Sequence, residues 1–94
     1  MTVANDAFLV RITGRVQGVS YRVWTRNEAQ ALGVTGWVRN EADGSVLALI
    51  AGPSSATAVM LARFWTGPAG ASVTNVEPQP TSADRIPGDF RVTA

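Results

Sequence analysis

An α+β sandwich of order βαββαβ, with two helices on one face of a mostly antiparallel sheet and a short extra C-terminal strand, is the fold class predicted by this sequence. Three observations predict it. Apolar residues alternate at Phe8, Val10 and Ile12, two later segments carry apolar residues at helical spacing, and an Asp43-Gly44 pair separates two strand-like runs. At 94 residues the chain can bury one modest core, so residues 1–94 are expected to form a single domain with an N-terminal tail over residues 1–6. An apolar fraction of 46% against 16% charged residues is that of a folded globular protein rather than a disordered one.

The first strand sets Phe8, Val10 and Ile12 on one face and Leu9, Arg11 and Thr13 on the other, and ends at Gly14. After a glycine-containing loop, Tyr21 to Leu32 places Tyr21, Thr25, Ala29 and Leu32 along one helical face, and Gly33 supplies the stop. Gly36 to Asn40 reads as a short second strand, and Asp43-Gly44 as a hairpin turn, because glycine tolerates positive φ. The third strand, Ser45 to Ala51, is apolar on both faces, with Val46, Ala48 and Ile50 opposed to Leu47 and Leu49. The second of these faces has no evident cover, which predicts an exposed apolar stripe.

Pro53 to Ser55 opens a second helix carrying Thr57, Met60, Leu61 and Phe64 at helical spacing, and Gly67-Pro68 closes it. A fourth strand is expected over Ser72 to Glu77, a loop over the proline-bearing stretch Pro78 to Pro87, and a short terminal strand around Phe90 and Val92. Trp24, Trp37 and Trp65 are expected in the core or at its margin. This order is the split βαβ, or ferredoxin-like, plan. Strands one and two, joined through a helix, then run parallel with strand three between them, and their C-terminal ends share one edge about 10 Å apart. The loop after Ile12 and the residue Asn40 should therefore face one small space.

All eight basic residues are arginines, seven acidic residues nearly balance them, and no block of like charge occurs. Electrostatic capture of nucleic acid or a membrane surface is not indicated. Apolar runs such as Val46 to Ala51 are too short for a membrane span, and Met1 to Asp6 lacks a secretion pattern, so a soluble cytoplasmic protein is expected; it is also expected to be a monomer. The chain has no cysteine, histidine or lysine. That removes thiol nucleophiles, imidazole bases, Schiff-base lysines, disulfides and nearly every zinc site. Glu41 and Asp43 are the one close acidic pair and read as a charged hairpin turn rather than a metal site.

The segment Gly14-Arg15-Val16-Gln17-Gly18-Val19-Ser20-Tyr21-Arg22 links a strand to a helix N-terminus, where unpaired amides and the helix dipole favour an anion. Its glycines let the backbone curl so that successive N–H groups point inward. Arg22 falls in the first helical turn, where a positive charge opposes the dipole and a bound anion would make sense of it. Asn40 can accept a hydrogen bond from water and donate one to a phosphate oxygen. A surface arginine and a turn-forming asparagine are the ordinary uses of the same residue types.

With Gly36-Trp37-Val38-Arg39-Asn40 beside it, this loop resembles the acylphosphatase family. The resemblance continues through Leu32-Gly33, Asp43-Gly44-Ser45-Val46, Gly52-Pro53, Gly67-Pro68, Val76-Glu77 and Phe90, covering nearly the whole chain. It implies hydrolysis of small-molecule acyl phosphates to a carboxylate and inorganic phosphate, without metal or cofactor. It further implies that the amides of Arg15, Val16, Gln17, Gly18, Val19, Ser20 and Tyr21, together with Arg22, bind the phosphate, and that Asn40 positions the attacking water. Ser20 departs from the family, which often has a bulkier residue there, and Leu47 stands where a glutamate is frequent. The rival expectation is a non-enzymatic ferredoxin-like binding module, holding a small anion or meeting a partner through Leu47 and Leu49.

Overall fold

The computed structural model describes residues 5–82 and 86–93. Its elements are β1 (Asn5–Arg15), α1 (Tyr21–Leu32), β2 (Thr35–Asn40), β3 (Val46–Pro53), α2 (Ser54–Phe64), β4 (Ser72–Pro80) and β5 (Phe90–Val92). The predicted order therefore holds, extra strand included. The strands form one sheet in the order β4-β1-β3-β2-β5, antiparallel throughout except where β5 runs parallel to β2.

Period-two alternation puts Val10, Ile12, Val38, Val46, Ala48 and Ile50 on the face that meets Tyr21, Ala29, Met60 and Phe64 of the helices. This is the core, and it matches the helical faces expected from spacing. Gly33 ends α1 with its N–H directed at the carbonyls of Ala29 and Gln30. No helix among the described residues is long and apolar enough to cross a membrane.

Four expectations are corrected. Asn5 and Asp6 are the start of β1, opposite Pro53 and Gly52, rather than the end of a tail; residues 1–4 lie outside the described residues. β1 continues past Gly14 to Arg15 by a register shift between Thr13 and Gly14. The loop expected from Pro78 begins only after Pro80, because β4 is an edge strand where a missing N–H leaves no ladder bond unmade; residues 83–85 of that loop lie outside the described residues. Trp65, at the C-terminal cap of α2, is 52% exposed.

The apolar stripe predicted on the open face is also smaller than expected. Leu47 is only 6% exposed. Its neighbours across the ladder are Arg11 on β1 and Arg39 on β2, whose aliphatic stems shield apolar surface while their heads stay wet. Arg11 is held by Ser45 Oγ at 2.8 Å and Asp43 at 3.5 Å, and Arg39 by Glu41 at 3.2 Å and by the Trp37 ring at 4.8 Å. Leu49 remains half-buried between Leu9 and Trp37.

The close approach of β2 to β3 depends on Gly36, which has φ +141°. A Cβ there would lie 1.8 Å from the Leu49 carbonyl oxygen, so the strand would have to move away from its neighbour. Gly36→Ala is expected to lower stability by about 2–4 kcal/mol, read as a fall in the urea midpoint. An unchanged midpoint would contradict this backbone contact.

Candidate active site

Three local features shape the turn between β1 and α1. Val16 is buried and plugs the start of the loop into the core. Gly18 has φ +74°, and an added Cβ would meet no atom within 4 Å, so it is the backbone conformation rather than space that favours glycine. Ser20 also has positive φ, at 63°, and its side chain makes no capping bond to the helix. The first-turn amides of α1 are thus left without a side-chain cap, and no acidic residue stands in that turn.

Tyr21 anchors the far end of the turn. Its ring lies 6.4 Å from that of Phe64 and 5.2 Å from that of Trp24, and its hydroxyl donates to the Phe64 carbonyl at 2.7 Å. Thr25 Oγ1 donates back to the Tyr21 carbonyl at 2.8 Å. The next residue, Arg22, projects from the first turn of α1, where its Nη1 reaches the Thr93 carbonyl beyond β5 at 3.3 Å.

Asn40 closes β2 directly opposite Val46 of β3, and Val46 in turn faces Ile12 of β1. The end of β2 and the exit of β1 therefore lie two strands apart at one edge, as the topology required. A pocket of about 340 Å³ opens there, lined by Val16, Gly18, Ser20, Tyr21, Arg22, Val23 and Asn40. Asn40 Oδ1 is buried without a hydrogen-bond donor among the described residues. Loop, arginine and asparagine are thus brought together.

Arg15, Gln17 and Val19, expected to contribute backbone amides, do not add their side chains to the pocket wall. Arg15 is the last residue of β1, paired with Ser72, and Val19 packs against the core. The Gln17 side chain turns away toward the β2–β3 hairpin, where its Nε2 donates to the carbonyls of Glu41 at 2.8 Å and Ser45 at 2.9 Å. Sequence reasoning missed this contact, the Tyr21 hydroxyl bond and the presence of Val23 in the pocket wall. Glu41 and Asp43 are engaged within and beside the hairpin, and the Ser45 hydroxyl and amide hold the Asp43 carboxyl below its usual range. Among the described residues no group of three His, Cys, Asp or Glu side chains is placed to hold a metal ion.

The family model "Acylphosphatase" matches residues 8–92. The chain belongs to the acylphosphatase family. It is 60% identical over 93 residues to an acylphosphatase of Rhizobium etli, covering 99% of each chain. Solved acylphosphatase structures from Coxiella burnetii and Bacillus subtilis superpose with a TM-score of 0.90 each, at 32% and 27% identity. They cover 95% and 97% of this chain, which in turn covers 93% and 100% of theirs. The chain is accordingly an acylphosphatase-type hydrolase, and its substrate class is the acyl phosphates.

Burial pushes the Tyr21 phenol far above its ordinary pKa. Above about pH 10 an unfolded chain gives up that proton while the folded chain keeps it. The unfolded state then binds fewer protons, so this contribution to stability is complete below about pH 10 and falls as pH rises further. Because Tyr21 is the one tyrosine of the chain, phenolate absorbance reports it alone. It is expected to appear in the same alkaline transition as the loss of helical circular dichroism. A phenolate step at the ordinary pKa in still-folded protein would contradict the burial.

Proposed function

We propose that this chain hydrolyses the carboxyl-phosphate bond by in-line attack of a water positioned by Asn40 on a phosphoryl group held by Arg22 and the loop amides from Arg15 to Tyr21. The observation that carries the reading is the pocket that Asn40, Arg22 and the loop line together, with Asn40 Oδ1 buried beside it and without a donor among the described residues. A buried acceptor without a donor costs about 1–3 kcal/mol, and a water donating to it when the site is filled would relieve that cost.

The step is the same on any acyl phosphate. The water oxygen forms a bond to phosphorus as the bond from phosphorus to the carboxyl oxygen breaks, and that electron pair leaves on the carboxylate. One proton of the water passes to a phosphoryl oxygen, giving inorganic phosphate. The carboxylate departs without needing a proton, so neither a general acid nor a Lewis acid is demanded at the leaving group. The negative phosphoryl oxygens are met by the planar fork of Arg22 and by backbone donors, each charge-assisted bond being worth on the order of 1.5–3 kcal/mol. Orientation of water and phosphorus accounts for the rest of the barrier reduction.

Purified protein mixed with benzoyl phosphate in excess chelator is expected to consume it; unchanged substrate would favour an anion-binding module instead. Arg22→Ala is expected to abolish nearly all turnover and weaken inhibition by phosphate, and Arg22→Lys to fail as well, since an ammonium cannot grip two oxygens in one plane. Asn40→Ala is expected to lower kcat by about 10²–10³. It should leave the phosphate inhibition constant near that of the parent, and equal loss of both would contradict a role confined to water.

A further inference from the structure

The two halves of the site come from segments that the sheet brings near each other but does not join. β3 fixes β1 relative to β2, yet the loop 16–20 lies beyond the last paired residue of β1, and Asn40 is the last residue of β2. In-line attack demands a defined separation between the cradle and the residue that holds the water, because a misplacement of about 1 Å can cost on the order of 10²-fold in rate. Something beyond the ladder must set that separation.

The Gln17 side chain is placed to do so. Its single amide nitrogen spends both hydrogens on the hairpin, one on the Glu41 carbonyl and one on the Ser45 carbonyl. Those residues flank the Asn40–Val46 pair, Glu41 following Asn40 and Ser45 preceding Val46. Both carbonyls already serve the hairpin. Glu41 N–H donates to the Ser45 carbonyl at 2.8 Å, and Gly44 N–H to the Glu41 carbonyl at 3.1 Å. Gln17 therefore grips the rigid mouth of the hairpin rather than a movable tip. Among the described residues these are the two hydrogen bonds that tie the loop 16–20 to the hairpin.

We propose that Gln17 is a positioning residue, whose side chain sets the distance and angle between the phosphoryl cradle and Asn40 while its backbone belongs to the cradle. This rests on the assignment of Asn40 to the attacking water. A two-point attachment from one nitrogen resists both sliding and rotation of the loop over the hairpin, which a single bond would not. Loss of the attachment leaves Val16 buried and Tyr21 anchored at the two ends of the loop, so the cradle itself survives.

The test is a double-mutant cycle built from Gln17→Met, which keeps side-chain length without the donors, and Asn40→Ala. Gln17→Met alone is expected to lower kcat for benzoyl phosphate by about 10- to 100-fold. The phosphate inhibition constant should stay near that of the parent, which also shows that the loop is folded. In the Asn40→Ala background the same substitution is expected to cost little further kcat, because the residue whose position it governs is gone.

Three outcomes would overturn the proposal. Parental kcat in Gln17→Met would do so, as would phosphate affinity falling along with kcat, which is the mark of a residue that merely holds the loop together. Losses that multiply in the double variant would show that Gln17 acts independently of Asn40. Parental kcat in Asn40→Ala alone would instead remove the water assignment, and this inference with it.

Discussion

Val46 has Ile12 of β1 on one side and Asn40 of β2 on the other, and the site depends on this three-residue row. An antiparallel strand between two parallel ones brings two chain exits to one edge at a spacing fixed by backbone hydrogen bonds, whatever the side chains. The row is buried on the helix side by the core that Val10, Ala48 and Met60 share. Close packing makes that arrangement stiff. The pocket inherits the stiffness, since Val16 and Tyr21 sit in the same core and in the pocket wall at once.

The loop carries local strain that its anchors outweigh. A non-glycine residue in the left-handed region, as Ser20 is, costs about 1–3 kcal/mol. Against this stand the burial of the Tyr21 ring, worth about 1.5–3 kcal/mol for a large apolar side chain, and a buried hydroxyl bond to Phe64 worth about 1 kcal/mol more. The serine conformation persists because the residue after it has nowhere else to go. Ser20 lines the pocket without capping the helix, which leaves the first-turn amides without a side-chain cap.

How much of this could be read in the sequence follows from the range over which each interaction acts. Period-two and helical spacing are local, so both helical faces, the six-element order and the meeting of Asn40 with the loop were legible. Where the outcome turned on neighbours in space, the sequence was silent. Nothing local to Leu47 reveals that Arg11 and Arg39 will flank it, so the stripe looked exposed. The prolines of β4 read as a loop because an edge strand can be known only once the sheet is assembled. Gln17 looked like one more loop residue for the same reason, its partners lying 24 and 28 positions away.

Under the proposed mechanism the residues in the pocket wall also bear on which phosphates the site can split. Expelling an alkoxide requires a proton at the leaving oxygen, and among the described residues the titratable groups lining the pocket are Arg22 and Tyr21. A guanidinium does not surrender its proton in water. The Tyr21 phenol is no better placed, because its hydrogen is committed to the Phe64 carbonyl and burial disfavours the phenolate that a transfer would leave behind. The buried phenol beside the pocket thus serves as a structural bolt. Under the proposed mechanism positive and neutral donors meet the phosphoryl group, and such a set is best matched to a leaving group already stable as an anion, as a carboxylate is.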